Sequence, residues 1–141
     1  MRARNGAYTA LAVVAWLFVG CILVQIFLAG IGVFGTNGFV THREFGYMIG
    51  WLTLVMVVIA VASRLGRTLI GLSVLTLLQM ALQSVLVLFR DDQPAVAALH
   101  PVNGVLLLIV TIAIGRLAWA GRTAPAADPA VAPPAPAEAP S

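Results

Sequence analysis

A chain of 141 residues, 61% of them apolar and only 9% charged, is not built for water, and it has room for at most about five helices of the roughly 20 residues that cross a bilayer. Its basic residues are all arginine and gather at the edges of apolar runs, so the formal charge of +3 reports membrane topology and points to no nucleic acid. With no lysine and no paired carboxylates inside those runs, Schiff-base chemistry, hydrolysis and carboxylate-driven proton pumping have no visible apparatus.

The first apolar segment covers residues 8–34 and carries no charge. It is too long for the core of a cleaved signal peptide, although Arg2 and Arg4 precede it. Phe18-Val19-Gly20-Cys21 looks like a lipoprotein cleavage box, but the residues after Cys21 stay apolar for several turns, so Cys21 reads as a small buried hydrophobe. As the single cysteine it closes no internal disulfide. The second helix is expected over residues 42–64, the third over 67–89 and the fourth over 95–120. The fourth carries Arg116 one turn from its end, where a long side chain snorkels to the interface. None of the runs alternates as a barrel strand would.

Short connections force neighbouring helices to be antiparallel, so the expected fold is an all-α integral membrane protein, an up-down-up-down four-helix bundle over residues 1–122. Residues 123–141 are rich in proline and alanine, the composition of a disordered, polyproline-like tail. Arg2, Arg4, Arg64, Arg67, Arg116 and Arg122 fall on one side of the zigzag and only Arg43 and Arg90 on the other. That asymmetry puts the amino terminus, the middle turn and the tail on the cytoplasmic side of the cell membrane.

Function lies in the polar residues left within the bilayer, because each is costly there and faces the bundle interior. They are Gln25, Thr53, Ser73, Thr76, Gln79, Gln83, Ser84, Asn103 and Thr111, with the two histidines His42 and His100. The histidines belong to a weak internal repeat. Gln25 precedes His42 by 17 residues and Gln83 precedes His100 by 17, and each histidine is followed four residues later by glycine, Gly46 and Gly104. A spacing of four keeps both on one helix face, and a glycine beside an imidazole leaves a flat recess where a planar ligand can lie.

Both histidines stand at the outer ends of helices that run in the same direction, and these helices are diagonal in the bundle, about 11–14 Å apart for neighbours at about 8–10 Å. Haem b held between two axial imidazoles fits such a gap, with Arg43 and Arg90 at the same rim to meet its propionates. The expected site is therefore His42, His100, Gly46, Gly104, Gln25, Gln83, Arg43 and Arg90, with the histidines as metal ligands. Plainer readings stand beside it. Thr41-His42-Arg43-Glu44 has the form of a capping box with Thr41 as cap, and Pro101 suits a first helical position, leaving His100 near a cap. The glutamines suit interhelical hydrogen bonds.

This layout resembles one four-helix half of haem A synthase, and Thr41-His42-Arg43 looks like the His-Arg start of that enzyme's second helix. The resemblance implies haem between histidines on the second and fourth helices near the outer face. The chain departs from it where that enzyme has a glutamate three residues before the histidine, since Phe39 stands there. A closer resemblance, carried by Val24-Gln25-Ile26-Phe27-Leu28-Ala29-Gly30, His42 with Gly46, and Leu99-His100-Pro101-Val102-Asn103-Gly104, is to domain of unknown function family 6220, small four-helix integral membrane proteins. It implies the fold and no activity. The functional expectations are thus a haem-binding protein of cytochrome type with a membrane redox partner, a structural or accessory subunit without cofactor, alone or as a homo-oligomer, and a small-molecule or quinone carrier.

Overall fold

A computed structural model describes residues 2–36 and 38–122, the side chain of Arg2 excepted. The chain runs through α1 (Arg2–Phe34), α2 (Val40–Ala62), α3 (Arg67–Leu86), a 3-10 turn at Val87–Phe89, α4 (Pro94–Ala97) and α5 (Leu99–Gly121), with no strand among the described residues. Four stretches are long and apolar enough to span a bilayer: Ala3–Phe34, Val40–Ala62, Arg67–Phe89 and Pro94–Gly121. At 1.5 Å per residue each exceeds the ~30 Å of a hydrocarbon core. The protein is an all-α, multi-pass membrane bundle. The expected tail, residues 123–141, lies outside the described residues.

Helix limits differ from expectation at informative places. α1 begins at Arg2, well before the apolar run, because its first turns are polar yet helix-compatible and the Thr9 hydroxyl donates to the Asn5 carbonyl at 2.9 Å. The fourth crossing is split at Ala98, three residues before Pro101. Proline has no N–H for the carbonyl of Ala97, which breaks the α-helical ladder there. Between α2 and α3, Leu65 N–H donates to Ala60 O at 3.0 Å and Arg64 N–H to Val61 O at 3.1 Å, a Schellman closure. Arg64 takes the left-handed position at φ 49°, which glycine usually fills, and Leu65 is buried behind it.

Around the bundle α1 packs against α2 and α5, and α3 packs against the same two helices. The diagonals are therefore α1 with α3 and α2 with α5. The inward residues repeat with a constant offset of 58. Leu11 and Leu69, Ala15 and Ser73, Phe18 and Thr76, Ile49 and Leu107, Thr53 and Thr111, Met56 and Ile114, Ala60 and Ala118 are all buried. The offset also pairs Gln25 with Gln83, His42 with His100 and Gly46 with Gly104. The two halves, α1 with α2 and α3 with α5, are thus equivalent hairpins related by an approximate half-turn along the bundle axis.

Inside a membrane the helices gain little from leaving lipid, so small residues and hydrogen bonds set their packing. The hydroxyls of Thr53, Thr76 and Thr111 donate to carbonyls of their own helices, Gly50, Leu72 and Leu107, at 2.7, 2.9 and 2.7 Å. That removes their cost in the core without tying helices together. At the end opposite the histidines, aromatic rings lie on glycines. A Cβ at Gly121 would stand 2.5 Å from the Tyr8 ring, and one at Gly115 3.0 Å from the Trp16 indole.

Candidate functional site

His42 lies in the first turn of α2 and His100 in the first turn of α5, at the same end of the bundle. Each ring reaches across to the neighbouring helix of its own hairpin. His42 Nδ1 is 3.0 Å from the main-chain carbonyl of Gln25, and His100 Nδ1 is 3.0 Å from that of Gln83. A carbonyl can only accept, so both contacts require Nδ1–H as the donor and leave Nε2 with its lone pair. That tautomer is the one found in metal-binding histidines, whose other ring nitrogen donates to a carbonyl.

The two rings face one another across the bundle with centroids 6.1 Å apart and planes at 65°. A ring nitrogen lies roughly 1.2 Å from its centroid, so no nitrogen of one ring approaches the other closer than about 3.7 Å. That is too far for a direct hydrogen bond. A metal held in line between two imidazole nitrogens at ~2.0 Å would set the ring centroids about 6.4 Å apart, close to the separation here. The Phe39 ring stands edge-on to His42 with centroids 6.0 Å apart.

Beside the rings is a cavity of about 310 Å³ whose wall includes Gln25, His42, Gln83, His100 and Gly104, with Ile22, Ile49, Met80 and Leu107 below them. Its size is at the lower end for small-molecule sites. The expected residues Gln25, His42, Gln83, His100 and Gly104 are brought together here. Gly46 lines a separate groove of about 220 Å³ between α2 and α3, with Gly50 and Met80. Arg43 and Arg90 line neither cavity. Both are exposed, and Arg90 pairs with Asp91 at 3.5 Å.

Two sequence readings are corrected by this geometry. The capping box does not form, because α2 starts at Val40 with Phe39 as its cap and no side chain bonds the helix end. Thr41 is already inside the first turn, and His42 is an interhelical tie. The recess beside each glycine is not open either. A Cβ at Gly46 would lie 2.8 Å from Gln25 Nε2, and one at Gly104 3.1 Å from Gln83 Nε2. The glycines admit the carboxamides of the glutamines whose carbonyls hold the histidines.

Asn103 is the polar group that sequence reading placed only in the general polar list. It is buried on α5 and its Nδ2 donates to Gln79 O at 2.9 Å and to Gln83 Oε1 at 3.0 Å. Its position three residues after His100, on the helix face toward α3, was the available signal. The offset of 58 puts Phe45 at the corresponding place in the first hairpin, and there Gln25 Oε1 is buried without a hydrogen-bond partner among the described residues. No group of three or more histidine, cysteine, aspartate or glutamate side chains able to hold a metal occurs among the described residues. A metal at this site would rest on the two imidazoles alone, as iron does when a porphyrin supplies its other four ligands.

Searches of the curated proteins and of the solved structures gave no match. Residues 25–90, which include Gln25, His42, Gly46 and Gln83 and end before His100, match the model of a family of unknown function, DUF6220, the family of small membrane proteins that the sequence resembles.

Proposed function

We propose that this protein binds haem b between His42 and His100 and serves as a cytochrome-like electron-transfer or haem-handling protein of the cell membrane. The observation that carries the reading is the pair of imidazoles, 6.1 Å apart, each with Nδ1 committed to a main-chain carbonyl. Two free Nε2 lone pairs at that spacing suit one iron. His42 and His100 would hold it, Gln25 and Gln83 would fix their tautomer, and the apolar floor of Ile22, Ile49 and Leu107 would exclude water from the site. When bound, haem supplies one-electron chemistry, and the protein supplies ligands, burial and orientation.

The charge asymmetry supports cytoplasmic ends and an outer haem site. Arg4, Arg64, Arg67, Arg116 and Arg122 lie toward one end of the bundle, and the histidines toward the other. A reporter fused after Ser141 should be active only in its cytoplasmic form, and one inserted near Asn37 only in its external form.

The experiment on haem is the absorbance of protein produced with ample haem and then reduced. Sharp low-spin α and Soret bands are expected, and they should be altered or lost in His42→Ala and His100→Ala. Colourless protein under those conditions sinks the reading. A second reading then stands, an accessory subunit without cofactor. Its support is that the glutamine carboxamides already fill the space beside Gly46 and Gly104, so that the histidines act as interhelical ties.

A further inference from the structure

Gln25, His42 and Gly46 of the first hairpin repeat as Gln83, His100 and Gly104 of the second, but the residue that satisfies the glutamine does not repeat. In the second hairpin Asn103 ties α5 to α3 twice, through Gln79 O and Gln83 Oε1, in addition to the bond from His100 to Gln83 O. In the first hairpin Phe45 and Cys21 stand where the offset of 58 would put the equivalents of Asn103 and Gln79. The bond from His42 to Gln25 O is there the only side-chain hydrogen bond seen between the outer ends of α1 and α2 among the described residues. Gln25 Oε1 is left buried and unpartnered on a residue that lines the cavity, whereas Gln79 Oε1 of the second hairpin, also buried and unpartnered among the described residues, belongs to a residue that lines neither cavity.

We propose that this broken repeat makes the two histidines unequal: His100 is the retained ligand and His42 the exchangeable one, with Gln25 Oε1 as the acceptor for a small hydrogen-bearing nitrogen or oxygen ligand that takes the place of His42. The inference rests on the haem reading above. Its physical basis is the anchoring of each imidazole. Moving His100 disturbs a helix end held by three side-chain hydrogen bonds, whereas moving His42 disturbs one. The supports of the two helices differ in the same direction. α2 follows a connection containing Gly35 and Gly38, the latter at φ 59°, while α5 follows α4 and holds Pro101 in its first turn. A buried carboxamide oxygen without a donor is also costly. A ligand N–H beside it removes that cost, and neither His42 nor any other described side chain does so.

The test compares haem-loaded parent protein with four variants in detergent, reading haem stoichiometry and spectrum, and using imidazole as the probe. His42→Ala should keep its haem as a five-coordinate high-spin species, and added imidazole should return it to low spin. His100→Ala should hold haem at least ~10-fold more weakly, in the range for loss of metal-site support. Asn103→Phe keeps both histidines and should shift the parent toward easier loss of haem, while Phe45→Asn, which gives Gln25 the partner that Gln83 has, should raise the imidazole concentration needed to displace His42. A folding defect in His100→Ala is separated from ligand loss by the Asn103→Phe and Phe45→Asn pair, which leaves both ligands in place. Equal haem loss in the two histidine variants, or a Phe45→Asn protein that takes imidazole as readily as the parent, overturns the inference while leaving a coloured parent and the haem reading intact. A colourless parent overturns both.

Discussion

The two ends of the bundle are held by different physics. At the histidine end, helices meet chiefly through hydrogen bonds, His42 and His100 to main-chain carbonyls and Asn103 to α3, with the Phe39 ring seated on Gly32 beside them. At the opposite end they meet through shape, with Tyr8 seated on Gly121, Trp16 on Gly115 and Leu65 buried beneath the Schellman turn. The side-chain bond there from the Tyr8 hydroxyl of α1 to Leu65 O, in the connection between α2 and α3, is long at 3.4 Å. An end closed by polar ties can exchange partners, which is why the candidate site is at the histidine end and the rigid base of the bundle at the other.

The comparison breaks most sharply at Gly121. A side chain there must displace the Tyr8 ring, so Gly121→Val should cost about 2–3 kcal/mol, as overpacking does, with the melting temperature well below the parent's and any haem spectrum of folded protein unchanged. Asn103→Leu comes next. It removes two hydrogen bonds and strands Gln83 Oε1, for about 1–2 kcal/mol, and denaturation in mild detergent should detect it together with faster amide exchange at the start of α5.

In haem-free protein His42→Ala should cost about 0.6–1 kcal/mol, the usual worth of one interhelical bond in a membrane, and a double-mutant cycle with Gly121→Val should be additive, since the sites lie at opposite ends. Arg64→Gly should raise the melting temperature slightly, by the equivalent of about 0.5–1 kcal/mol, because glycine relieves the left-handed backbone at φ 49°. Tyr8→Phe sets the lower bound of the series. A 3.4 Å bond contributes little, so a change of a few tenths of a kcal/mol is expected, and a larger one would show that the base also relies on polar contacts.

Much of this architecture was legible in the sequence because bilayer thickness dictates run length. The four spans, their antiparallel order and the diagonal placement of His42 and His100 follow from apolar stretches and short connections. The spacing of 17 between Gln25 and His42, repeated by Gln83 and His100, marked the right residues. It could not tell whether the glutamine offered its carboxamide or its carbonyl, because sequence specifies side chains and the acceptor is main chain. The glycines were legible as recesses but not as filled ones, since what enters a recess depends on rotamers on the neighbouring helix. Thr41 and Glu44 matched a capping pattern that did not form, because α2 starts two residues too early for Thr41 to serve. Arg43 and Arg90 shared a depth with the histidines without sharing their cavity, as long side chains at an interface turn toward water.

The approximate half-turn that relates the hairpins has a consequence for anything lodged on its axis. A molecule seated between His42 and His100 meets similar surroundings when turned over by that rotation, so a guest lacking such symmetry has two poses of comparable energy, separated by the differences between the hairpins, among them Asn103 against Phe45, Gln79 against Cys21 and Met80 against Ile22. Two sets of resonances in unequal but comparable amounts, from one homogeneous preparation, would be the signature of that degeneracy.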